Sequence, residues 1–215
     1  MEFSVMLSQM AEGMGRSIGI FFLTLIFSMP LGLLVAFGRM SRFKFIQYLS
    51  KFLISILRGT PLMLQLMVVY FFPYYLFGCS IGNWRYPAII VGFVINYAAY
   101  FAEIYRSGIE AMPKGQYEAA ELLGYHKIQT FVKIILPQVV KIILPSVTNE
   151  IITLVKDTSL AYSLAYLEMF SVAKQIAARE TTLMPFVIAA VFYYVFNLVV
   201  SFVMERVEKR MSYYR

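Results

Sequence analysis

The sequence predicts an all-α, polytopic membrane protein with about five transmembrane helices and one cytoplasmic helical loop. Three observations predict it. Of 215 residues, 60% are hydrophobic and 14% charged, where a soluble domain is nearer half and a quarter. Several apolar runs approach or exceed the roughly 18 residues that read as a membrane span. Basic residues gather in alternate connections, as cytoplasmic loops do. The length suits one membrane domain, residues 1–215.

The first apolar run follows Arg16, which does not fit a cleaved secretory signal. Upstream, Phe3, Met6, Met10 and Met14 recur at roughly helical spacing, so a short helix on the outer face is expected. Span one covers about residues 17–37, and span two lies within 52–77. Spans three, four and five cover about 86–105, 138–166 and 184–204. At 1.5 Å per residue each is expected to cross the ~30 Å hydrocarbon layer. Spans one and five are nearly all apolar and suit lipid.

Charge sets the direction. Thirteen basic residues lie after span one (Arg39, Arg42, Lys44, Lys51), between spans three and four, and in the C-terminal tail as far as Arg215. Four lie on the other side: Arg16, Arg85, Lys174 and Arg179. The N-terminus is therefore expected outside and the C-terminus in the cytoplasm, with Trp84 and Tyr86 at the outer interface. The net charge of +7 follows from this topology and needs no nucleic-acid partner. One cysteine and one histidine give no metal cluster.

The start of span two, "ILRGTPLMLQL", is unusual. Thr60-Pro61 reads as a helix start, a hydroxyl cap followed by proline. Either one helix breaks at Gly59, or an interfacial helix over about 42–57 meets a new one at Thr60. A helix N-terminus here can face an anionic group beside Arg58; equally, Arg58 can snorkel to lipid phosphates.

Spans three and four carry polar stripes. Ser146, Asn149, Glu150, Thr153 and Asp157 recur at steps of three and four in span four, on one helical face, with Lys156 at its edge. Asn96, Tyr100, Glu103 and Ser107 do so in span three, with Arg106 placed to pair with Glu103. A carboxylate facing lipid costs roughly 2.5–3.5 kcal/mol, so these stripes should face protein or water. They form either a substrate path or a polar seam between subunits.

The connection between spans three and four, about 111–137, is too long to be structureless. "KGQYEAAELLG" reads as a helix stopped by Gly124 in the left-handed region. "YHKIQTFVKIIL" reads as a second helix, with Pro137 at the start of span four. Two helices at an angle on the membrane surface make a knob attached to the polar stripe of span four.

Glu118-Ala119-Ala120, three residues, Gly124, nine residues, Ile134, one residue, Leu136-Pro137 resembles the EAA loop of ABC importer permeases at every marked position. The stretches "LRGTPLMLQL", "YFAEIYRSGIEAMPKGQYEAAELLGY" and "LVKDTSLAY" narrow it to permeases for polar amino acids, of the histidine, glutamine, arginine and cystine type. The resemblance implies a multi-pass subunit of the bacterial cytoplasmic (inner) membrane. It implies a second permease subunit, identical or homologous, and an extracellular amino-acid-binding protein. It also implies that the loop docks on a separate ATPase subunit through Gln116, Glu118, Ala119, Ala120 and Gly124. This chain lacks a phosphate loop, so ATP and Mg belong to that ATPase and the chain binds no cofactor itself. In the implied cavity, Glu150 and Asp157 would take the ammonium of an amino acid. Arg58, Thr158 or Ser159 would take its carboxylate, and Asn149, Asn96, Tyr100 and Glu103 would complete the path. The chain is not read as an enzyme: Ser159 has no histidine nearby in sequence, and Asp157 has no second intramembrane aspartate. The competing reading is an ATP-independent amino-acid channel or secondary transporter, which needs no such knob.

Overall fold

The computed structural model describes residues 2–80 and 82–211, which form helices joined by short turns, with no strand among the described residues. Arg215, counted with the cytoplasmic basic residues, lies outside the described residues. Four helical elements are long and apolar enough to cross a membrane, or five if one sharply bent pair counts as a crossing.

Helix α1, Phe3–Arg39, is a single 37-residue helix. At about 55 Å it exceeds the ~30 Å hydrocarbon layer, so its first turns project beyond it. This corrects the expected separate surface helix. Met6, Met10 and Met14 continue α1 and are buried against a helix not anticipated from the sequence, α8, Met169–Glu180. Lipid does not cover α1 on all sides either. Gly13, Ser17, Thr24, Ser28, Gly32 and Ala36 form a buried stripe of small residues. Its inner half packs on α4, Arg85–Glu110. A Cβ on Gly32 would come within 2.8 Å of Phe101 Cβ, so the close approach of these helices needs glycine there.

Helices α2, Lys44–Gly59, and α3, Leu62–Phe77, meet at 113°. Of the two sequence alternatives, the two-helix arrangement is the one adopted. Thr60 does not cap α3, however. It ends α2, and its hydroxyl donates back to Ile56 O at 2.8 Å. Pro61 stands just before the first helical residue. With 16 residues, α3 is about 24 Å long, shorter than a full crossing.

The elbow holds α5, Lys114–Leu122. Gly124 stops it at φ +79°, with Tyr125 N donating to Ala120 O and Gly124 N to Glu121 O, as a Schellman closure requires. The second expected surface helix is instead the start of the next span. Lys127–Thr130 (α6), a π-helical turn at Phe131–Ile135 and α7, Leu136–Asp157, run on as one element into a 3₁₀ segment, Thr158–Leu164. Pro137 lacks one N–H, and the widened turn before it shifts the hydrogen-bond ladder so that the helix need not restart. Helix α9, Met184–Met211, closes the bundle, and most of its surface faces outward. The main core joins Phe21, Leu66, Phe93, Phe101 and Leu154 from α1, α3, α4 and α7.

Candidate functional site: a mid-membrane cavity beside a broken helix

The break between α2 and α3 sets the site. A helix end leaves its last carbonyls without partners, and at membrane depth no bulk water replaces them. Two side-chain amides do. Gln65 Nε2 donates to Leu57 O at 2.8 Å and to Thr60 O at 3.1 Å. Asn96 Nδ2 donates to Leu57 O at 3.1 Å and to Gln65 Oε1 at 2.9 Å. Asn96 is therefore committed to holding the break against α4.

A cavity of about 390 Å³ opens beside it. Asn96, Tyr97 and Tyr100 from α4, and Glu150, Thr153 and Asp157 from α7, line it across from residues 60–62. Part of each predicted stripe thus faces one space: Asn96 and Tyr100 of the first, and Glu150, Thr153 and Asp157 of the second. Tyr97, which the sequence did not single out, is buried, and its hydroxyl donates to Asp157 Oδ2 at 2.8 Å. Asp157 ends α7 where the geometry tightens to 3₁₀. A second cavity of about 230 Å³ adjoins the first, sharing Tyr100 and Glu150 and adding Arg58, Glu103 and Arg106. Arg58 lies over the Tyr100 ring at 5.2 Å. Glu103 is held by Arg106 at 2.6 Å and by Arg39 at 3.7 Å, and Arg106 also pairs with Glu110.

Several predicted residues stand elsewhere. Thr158 is fully buried, and its hydroxyl donates to Val155 O. Ser159 donates to Lys156 O, and neither side chain lines the cavities. Asn149 is exposed on the flank of α7 with Ser146. In the elbow, Glu118, Ala119 and Gly124 face outward. Gln116 and Ala120 turn inward. Gln116 forms a reciprocal amide pair with Gln138 at 2.9 and 2.8 Å, bracing α5 on α7, and Ala120 is buried. The elbow tip instead presents Leu122 and Leu123, which are 90% and 76% exposed.

Outside the spans, Glu168 is buried at the start of α8. It accepts from Phe170 N and Ser171 N, both at 2.7 Å, and from the Tyr193 hydroxyl at 3.1 Å. Burial outweighs these donors and raises its carboxyl above the ordinary glutamate range.

A family model of the binding-protein-dependent transport system inner membrane component matches residues 28–213. The chain belongs to this family. Similar members include the L-cystine transport system permease protein TcyB of Bacillus subtilis, 33% identical over 95% of this chain and 87% of that protein. The arginine transport system permease protein ArtQ of the same organism is 35% identical over 94% and 91%. A crystal structure of an amino acid ABC transporter with histidines is 30% identical, with TM-score 0.86 over 98% of this chain and 99% of that one. The all-α polytopic fold read from the sequence agrees with membership of this family, whose members are inner membrane components of transport systems.

Proposed function

We propose that the chain is one of two membrane subunits of an ATP-driven importer that carries a polar or charged amino acid into the bacterial cytoplasm. The N-terminus lies outside, where a binding protein delivers the amino acid, and the elbow faces the cytoplasm. The observation that carries this reading is the elbow tip. Two leucines stand almost wholly exposed on a short, closed helix braced to the spanning element that lines the cavity. Apolar side chains presented in this way suit a protein groove, and a separate ATPase subunit supplies it.

ATP binding draws two ATPase subunits together, and each elbow follows. The Gln116–Gln138 pair and the continuous helix 127–157 carry the movement to Glu150 and Asp157. A ligand-linked shift of a few kcal/mol moves such a two-state bundle from one access to the other. In the cavity, Glu150 and Asp157 attract the ammonium group, and Arg58 at the adjoining cavity attracts the carboxylate. The exposed polar flank of α7, Ser146, Asn149 and Thr153, is costly against lipid and suits the second permease subunit.

Purification of the assembled complex tests the docking step. Leu122→Glu with Leu123→Glu should release the ATPase and abolish ATP-driven uptake while leaving the chain inserted at normal levels. Retention of the ATPase with normal uptake would contradict it.

A further inference from the structure

The elbow encloses a second kind of site, remote from the transport cavity. A pocket of about 560 Å³ lies between the α1–α2 turn and the elbow. Arg42 enters from the turn, Tyr117 and Glu121 from α5, and Tyr125, Lys127 and Phe131 from the segment beyond. His126 also borders it. Glu121 is the one carboxylate in the wall, beside two cations, two phenols and the apolar ring of Phe131. Arg42 and Lys127 form no ion pair among the described residues. Two cations outside any ion pair, lining one pocket with two phenols and outnumbering its single carboxylate, suit a phosphate group.

A second observation says where that phosphate comes from. Phe131, in the pocket wall, meets Phe37 edge-on at 6.5 Å between ring centroids. Phe37 is 46% exposed, so the pocket wall is in contact with an exposed aromatic of the membrane-spanning helix α1. Phe43 and Phe45, beside Arg42, are 73% and 79% exposed. A basic pocket between membrane helices, in contact with exposed apolar side chains, is the arrangement that takes an anionic lipid head group with its acyl chains alongside. The π-helical turn begins at Phe131 itself, and such turns occur often at binding sites.

We propose that this pocket holds the phosphodiester head group of an anionic phospholipid from the inner leaflet. The lipid bridges the α1–α2 turn and the elbow, and so sets the resting position of the coupling helix. The leaflet named here rests on the orientation proposed above.

The test uses the assembled complex in detergent, stripped of lipid and titrated with phosphatidylglycerol or phosphatidylcholine, with bound lipid counted by native mass spectrometry. Phosphatidylglycerol should be retained about tenfold better, and Arg42→Gln with Lys127→Gln should lose about that factor. Lys44→Gln with Lys51→Gln removes the same charge from α2 and should leave retention within about twofold. Arg42→Lys should keep most of the binding, which separates the site from a folding defect. Equal loss in both double variants, or no loss in either, would overturn the site. Displacement of the lipid by millimolar inorganic phosphate would assign the pocket to free phosphate and overturn the lipid. Retention in detergent is independent of sidedness. Labelling of the exposed Cys79 by an impermeant thiol reagent outside intact cells tests the orientation separately.

Discussion

The break beside the cavity and the tip of the elbow are both helix ends, and they are finished in opposite ways. At the break, the carbonyls of α2 are satisfied from a distance in sequence: Asn96 reaches Leu57 across 39 positions. At the elbow, α5 is closed by its own next three residues, with Gly124 in the left-handed region and no foreign side chain involved. Membrane depth forces the first solution, because an unpartnered carbonyl there has no water to turn to. The second leaves the helix tip free of internal obligations, so its leucines remain available to a partner. One end is fixed in place, and the other stays exposed, as the proposed docking requires.

Exchanging hydrogen-bonding capacity for bulk at each end sharpens this contrast. Asn96→Leu should have the largest effect on the fold. It withdraws the donor from Leu57 O and Gln65 Oε1 at membrane depth, at a cost of about 1–3 kcal/mol. A lower midpoint of thermal unfolding in detergent, with uptake lost, is the expected result; an unchanged midpoint would mean that the break is held elsewhere. Gly124→Val should cost less, about 1–2 kcal/mol for a side chain in the left-handed region. No atom lies within 4 Å of a Cβ at this site, so the cost is backbone strain alone. Gly124→Asn should recover most of it. Hydrogen exchange should report the loss in α5 amides and leave those of α4 unchanged.

The smallest effect belongs to the outer face. The native carboxyl of Glu168 sits above its ordinary range. Its contribution to stability is therefore complete below the unfolded pKa and declines as pH rises through the native value. Protection of the Phe170 and Ser171 amides, corrected for intrinsic exchange, should fall as pH rises, and Glu168→Gln should flatten that slope. The same slope in the variant would assign the dependence to another group.

The two ends also differ in how legible they were. The first helix of the elbow and its stop could be read directly, because helix formers, a left-handed glycine and their spacing are local information. Four of the spans followed from the length of the apolar runs, and the two polar stripes from periodicity. The cavity's internal pairing did not. Gln65 is the one amide side chain in residues 62–77 of an apolar helix, and that solitude was the available signal. Tyr97 gave none, since its ring belongs to the core while only its hydroxyl reaches Asp157. The methionine stripe of α1 showed periodicity but not its partner α8, which tertiary packing supplies. Pro137 suggested a helix start because proline usually marks one, yet a π-helical turn let the helix run through it.

In the proposed mechanism the elbow re-aims the cavity. Thr153 lines that cavity and is exposed to it, so Thr153→Cys in a Cys79→Ser background makes it a reporter. Impermeant thiol reagents would be applied from either side of the reconstituted complex, with and without ATP. Labelling is expected to move from the cytoplasmic side to the outer side when ATP binds, and Leu122→Glu with Leu123→Glu to abolish the change. Labelling from one side alone, indifferent to nucleotide in the intact complex, would contradict the mechanism.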